Sequence, residues 1–223
     1  SEAEVPRDGL WGGENLHLFQ GELRQRPSWN YARDVVVSTP TATAPITGVW
    51  TARRAETRTK FLFVGGVADV QVLGNDWIQV FTWAATRGQQ NQVRFTELST
   101  ETPLTTKVVV VNGVDTPRRV TIPAAANPGA GSGVPMTGAP VWRDVCTASD
   151  RIVGITNTEV QWGEALRLDI WPALNVKSLM ETHDLCVAIR PIGLLHVGIW
   201  KERSFWIGEA KGGSSAAYFR WKM

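Results

Sequence analysis

Apolar runs in this chain are short, and glycine, asparagine, aspartate or proline cuts them at close intervals. That punctuation constrains the fold more than any other feature. An amphipathic helix needs apolar residues at i, i+3, i+4 and i+7 over several uninterrupted turns, whereas a strand needs only four to eight residues and a turn. Ile46–Trp50 reads as one strand and Lys60–Val64, closed by Gly65-Gly66, as a second. Ala68–Leu73 is a third, alternating through Val70 and Val72 and turning at Gly74-Asn75. Trp77–Thr82 is a fourth, with Trp77, Gln79 and Phe81 on one face.

The grouping recurs. Val93–Leu98, Lys107–Val111 and Arg119–Ile122 read as strands, with Asn112-Gly113 predicted as a tight hairpin turn. The segment 123–140, rich in Ala, Gly and Pro, reads as a flexible surface loop. Val141–Thr147, Arg151–Thr156, Glu159–Gly163 and Leu168–Trp171 form the next group. Asp184–Arg190, Leu194–Lys201, Ser204–Gly208 and Tyr218–Trp221 form the last. Val176–Asp184 is the one stretch with a plausible helical turn. Before these groups, residues 1–13 read as a polar N-terminal arm, and Glu14–Leu23 as a hairpin turning at Gln20-Gly21. Residues 14–223 are therefore expected to form a single repeat-built β domain. The expected class is all-β and propeller-like, with about four to five blades of short antiparallel strands at roughly the 40–45-residue spacing of propeller blades. A β-sandwich or barrel would produce much the same pattern.

The chain carries 11 tryptophans among 223 residues. Many small sheets each need a bulky anchor, and Trp77, Trp171 and Trp206 recur near the later strands of the groups. They are expected to be buried strand anchors. A hydrophobic content of 43%, a charged content of 20% and a net charge of +2 exclude a disordered chain and a strongly polyanion-seeking one. A mild basic bias over Val187–Met223 reads as a solvated face. Cys146 and Cys186 lie in apolar strand-like surroundings and read as buried free thiols. No apolar run is long enough for a membrane helix.

Chemistry is sparse. His17 and His196 sit inside strand-like runs, with no second ligand at metal spacing. His183 lies beside Asp184 and near Glu181, but no nucleophile accompanies it in the sequence. Gly129–Gly133 lacks the Lys-Ser/Thr and strand-to-helix context of a phosphate cradle. Asp69, Asp76, Glu159 and Glu164 could serve a propeller glycosidase only if two of them converged. No catalytic, cofactor-binding or metal residue is therefore assigned, no cofactor is expected, and the chain is expected not to be an enzyme.

One stretch carries a resemblance. It runs through Arg151–Ile155, Val160-Gln161-Trp162, Ile170-Trp171-Pro172, Glu181–Asp184, Ala188–Gly193 and Ile199–Ile207. With the early Phe19-Gln20-Gly21 leading to Arg26-Pro27, it resembles β-propeller tail proteins of tailed bacteriophages. The resemblance implies a structural component of the virion, in the tail or in the head-to-tail connector or nozzle. It implies part of a ring or tube for genome passage, assembled in the host cytoplasm. The implied partners are other copies of the chain and neighbouring virion proteins, with transient non-specific DNA passage and no membrane segment. Such a ring leaves Tyr218–Trp221 at an edge open to a neighbour, with the arm at 1–13 wrapping an adjacent subunit. The alternatives are a carbohydrate-binding propeller or, further off, a propeller glycosidase. Exposed tryptophans would favour sugar binding, because indole faces stack on pyranose rings. Buried ones would favour the structural role.

Overall fold

Val108–Val111 shows how this sequence builds its sheets. All four valines are fully buried, so both faces of the strand are covered. A run of β-branched residues suits such a strand, because each pleat face presents a stiff apolar side chain. The computed structural model describes residues 16–19, 22–25, 46–55, 57–73, 77–84, 92–101, 104–123, 126–212 and 218–223. Among these the fold is all-β, without a helix.

The first sheet runs in chain order through β3 (Ile46–Arg53), β4 (Lys60–Gly66), β5 (Asp69–Leu73) and β6 (Trp77–Thr82). The second comprises β7 (Arg94–Glu101), β8 (Leu104–Val111), β9 (Arg118–Ile122) and β10 (Gly133–Pro135). The third comprises β11 (Asp144–Ala148), β12 (Arg151–Ile155), β13 (Glu159–Trp162) and β14 (Val176–Ser178). The fourth comprises β15 (Cys186–Ile192), β16 (His196–Lys201), β17 (Phe205–Ala210) and β18 (Phe219–Lys222). Every neighbour is antiparallel, so each sheet is a simple meander. Ahead of them, β1 (Leu16–Phe19) and β2 (Glu22–Gln25) pair as a hairpin within a separate unit, Ser1–Ser38.

The four sheets stack in sequence. Ala52, Phe61, Phe63, Val70 and Val72 of the first pack with Phe95, Val108, Val110, Val120 and Ile122 of the second. Val109 and Val111, on the opposite face of β8, join Trp142, Val145, Ile152 and Leu168 on the third. Val153, Ile155, Val160 and Trp162 meet Ile189, Val197, Ile199, Trp206 and Phe219 of the fourth. First strands meet in order: β3 with β7, β7 with β11, β11 with β15. Four-stranded meanders with their first strands gathered together are a propeller-like arrangement. Glycine permits the closest approaches. A Cβ on Gly48 would lie 2.1 Å from the Val93 carbonyl oxygen, and one on Gly154 would lie 2.3 Å from the Trp142 ring.

Several expectations are corrected. The loop expected over 123–140 contains β10, which completes the second sheet, and Met136 beside it is buried. Leu168–Trp171 is not a strand; the fourth strand of the third sheet is β14, inside the stretch expected to form a helical turn. The valine pattern there is weak, and pairing with β13 supplies the partners that local sequence does not show. Asn112-Gly113 does not close a two-residue hairpin. The Asn112 side chain accepts from the amides of Val114 (3.1 Å) and Asp115 (2.9 Å), shaping a longer turn before β9. A two-residue hairpin does join β11 to β12, where Ser149 and Asp150 both adopt positive φ (49° and 59°). Among the expected anchors, Trp206 is buried while Trp77 and Trp171 are only half-buried. The principal anchors are Trp142 and Trp162. The arm at 1–13 and the turn Gln20-Gly21 lie outside the described residues.

Replacing Trp142 or Trp162 by Ala should cost about 3–5 kcal/mol, the range for emptying a large aromatic site. Trp200→Ala, at a position 41% exposed, should cost less than about 1 kcal/mol, since surface changes are usually small. Denaturant unfolding of the three variants measures both.

Candidate functional site

Where the four first strands gather they enclose a cavity of about 490 Å³. Its wall is Gly48–Trp50 from β3, residues 93–97 at β7, Asp144–Thr147 from β11, and Arg190 and Pro191 from β15. The polar groups here strap one first strand to the next. Thr147 Oγ1 donates to the Glu97 carbonyl oxygen at 2.6 Å and lies 3.0 Å from Thr96 Oγ1, tying β11 to β7. Asp144 is almost fully buried. Its Oδ1 accepts from the Val145 amide at 2.9 Å. Its Oδ2 accepts from the Ile189 amide at 3.0 Å and from Arg190 Nη1 at 2.6 Å, tying β11 to β15. A carboxylate holding two amides and a guanidinium fastens the junction through charge-assisted hydrogen bonds. Burial, and then the Asp144 charge, push the Cys146 thiol far above its usual range, so it is no nucleophile at neutral pH.

A second cluster lies at the β16–β17 turn. Lys201 shares the inward face of β16 with Val197 and Ile199, and its side chain is fully enclosed. Its Nζ donates to the Leu179 carbonyl (2.7 Å), the Thr182 carbonyl (2.8 Å) and Thr182 Oγ1 (2.5 Å), and lies 3.1 Å from Asp184 Oδ1. Asp184 Oδ2 accepts from the Arg203 amide and the Ser204 hydroxyl, each at 2.9 Å. The Thr182 hydroxyl, and with it the Arg203 amide, Lys201 and Ser204, hold the Asp184 carboxyl well below the usual carboxylate range. Folding thus brings a hydroxyl, Ser204, to the cavity lined by His183 and Asp184. An activated serine requires a base with a free lone pair beside it. Here the Asp184 carboxylate and the Lys201 ammonium are both occupied, the exposed His183 shares the cavity, and the cluster knots residues 179–184 to the turn.

A third cavity, of about 570 Å³, is lined by Arg94, Arg143, Asn112, Asn157, Leu185 and Val187 among others. Arg143 Nη1 donates to Asn157 Oδ1 (3.2 Å) and to the Cys186 carbonyl (3.0 Å), and Arg94 bonds Gln92.

Among the described residues, those weighed in the sequence have separate surroundings. Asp69 Oδ2 accepts from the side-chain amides of Gln71 (2.9 Å) and Gln79 (2.7 Å). Glu164 lies 3.6 Å from Arg151, and Glu159 is exposed on β13. His183 and His196 are exposed. Asp76 and the His17 side chain lie outside the described residues. Gly129–Gly133 turns into β10, with the Gly131 amide donating to the Gln79 carbonyl at 3.2 Å. Cys146 and Cys186 are free and buried. Among the described residues no group of three or more His, Cys, Asp or Glu could hold a metal ion, and no helix is long and apolar enough to cross a membrane. Sequence reasoning missed Asp144 and Lys201. Their signal was a charge at an inward-facing strand position, Lys201 in phase with Val197 and Ile199.

No protein-family model matches the chain, and no curated protein or solved structure does either.

Asp144→Asn should cost about 2 kcal/mol, the scale of a hydrogen bond to a charged group, read by denaturant unfolding. For Asp184 the lowered native-state value sets the direction of a pH effect. Its stabilisation is fully present above the ordinary carboxylate range, near pH 3.9, and is lost as pH falls through the native value. Asp184→Asn should therefore lower the melting temperature at pH 7 and reduce the loss of stability between pH 5 and pH 2, measured by thermal scans across that range.

Proposed function

We propose that the chain is a structural component of a bacteriophage virion, in the tail or the head-to-tail connector or nozzle, and contributes part of a ring or tube for genome passage. The observation that carries this reading is the use made of its polar side chains. Asp144, Thr147, Arg143 and Lys201, which in an enzyme could do chemistry, are committed to straps between or within sheets. A scaffold that bears load needs such straps. The buried Trp142, Trp162 and Trp206 support it as well, because they fill cores and are withheld from ligands. The resemblance of 151–207 to phage tail propellers supplies the setting.

A second reading has one observation in its favour. Trp200 is 41% exposed and lies 4.9 Å from the Phe205 ring, an aromatic pair of the kind that stacks on a sugar.

Immunogold labelling and electron microscopy of parent particles should place the chain at the tail or its junction, and the purified chain should hydrolyse no glycoside. Particles without the chain, or turnover abolished by a single carboxylate substitution, would overturn the structural reading. Saturable glycan binding lost in Trp200→Ala would favour the second.

A further inference from the structure

Four sheets make three buried junctions, first with second, second with third and third with fourth. The second and third sheets are apolar on both faces, and each face is covered. The fourth is also apolar on both. Its covered face carries Ile189, Val197, Ile199 and Trp206. Its other face carries Ile192, Trp200, Phe205 and Ile207 around Gly198. A Cβ on Gly198 would meet the Ile192, Phe205 and Trp200 side chains at 2.6–3.0 Å, and Ile207 is the direct cross-strand partner of Gly198. Ile192, Trp200 and Ile207 remain 40%, 41% and 39% exposed. Arg190, the other cross-strand partner of Gly198 and bonded to Asp144, shares this face by register with His196, Glu209, Arg220 and Lys222, and these charged and polar groups surround the apolar centre. An apolar centre with a charged rim is the anatomy of a protein interface. A sheet meant to face water alternates instead, with polar residues outward.

We propose that this face docks a second copy of the chain, against the side of its first sheet turned away from the second. The proposal takes its choice of a second copy from the assembly reading above. Stacking within the chain runs first to second to third to fourth, always face to face between consecutive meanders, and the contact continues that order into the next copy. The receiving sheet exposes apolar residues at its own first strand. Val49 is 55% exposed and Ile46 56%, and Val49 is out of phase with Trp50 and Ala52, which pack toward the second sheet. Unlike surfaces meet, so the contact is head-to-tail and propagates until a ring closes. It is also small. Strands about 4.8 Å apart with a rise of about 3.3 Å per residue give a face of a few hundred Å², against about 800 Å² per partner in a stable complex. Two free copies therefore associate weakly, and closure stabilises the whole.

Sedimentation of the full chain from micromolar to millimolar concentration tests this. Wild type should gain mass beyond a dimer. Ile207→Asp and Val49→Asp each spoil one side at an exposed position, so each should keep the wild-type melting temperature and weaken self-association at least about tenfold (~1.4 kcal/mol). Mixed one to one, they still offer one intact pair of faces and should form a dimer that grows no further. Val134→Asp, exposed on β10, should associate as wild type does. A wild type monomeric throughout, variants that associate unchanged, or a mixture that stays monomeric would each overturn the proposal. So would association lost in Ile207→Asp but kept in Val49→Asp, which means the fourth sheets pair with each other. Self-association by these faces in a chain missing from the particle would instead overturn the virion reading and leave the docking intact.

Discussion

Sheets that are apolar on both faces must be sandwiched, and that requirement organises the molecule. A strand such as Val108–Val111 exposes no polar side chain on either side, so leaving one face in water would forfeit roughly 1.5–3 kcal/mol per large side chain. The chain meets the demand by repetition. Each meander covers its predecessor and offers a fresh apolar face to its successor. Stacking of this kind spreads the core over several thin layers, and no single layer could hold a fold by itself.

Thin layers need fine adjustment where they converge. The first strands approach so closely that a side chain at Gly48 would collide with the Val93 backbone, and Trp142 lies flat on Gly154. Polar atoms at this crowded centre have lost water and must find partners. Several find them across the junctions, while the indole nitrogens of Trp50 and Trp142 do not. Thr147 reaches the Glu97 carbonyl, Asp144 reaches the Ile189 amide and the Arg190 guanidinium, and Arg143 reaches the Cys186 carbonyl. The same desolvation that would sharpen the chemistry of a free carboxylate here consumes it in fastening strands together.

Much of the strand layout was legible in the sequence. Trp77–Thr82 falls as expected, and most other strands differ only at their ends. Short apolar runs and the breaks between them act within a few residues, so local sequence carries the layout, although Gly65-Gly66, expected to close the second strand, lies inside β4 and Asn112-Gly113 closes no two-residue hairpin. The two misplaced elements had weak local signals. β10 is three residues, Gly-Val-Pro, and exists because β9 offers it an edge; β14 is Val-Lys-Ser and exists because β13 does. The site was far less legible. Asp144 and Lys201 look like ordinary charges beside strands until the partner sheet or the 179–184 segment folds over them. The tryptophan ranking failed for a similar reason. Trp162 is an anchor because the fourth sheet covers it, with Phe219 5.6 Å away, a fact separated from it by more than fifty residues of chain.

The sequence by itself determined that the chain is all-β and that its strands come in successive groups. These follow from periodicity and turn chemistry, which are local. The order of stacking, the faces that are covered, the strapping of the central carboxylate and the exposure of the fourth sheet's outer face were decided only by tertiary structure. Burial is a property of what lies opposite a side chain, and in a stack of sheets the residues opposite belong to the next meander along the chain.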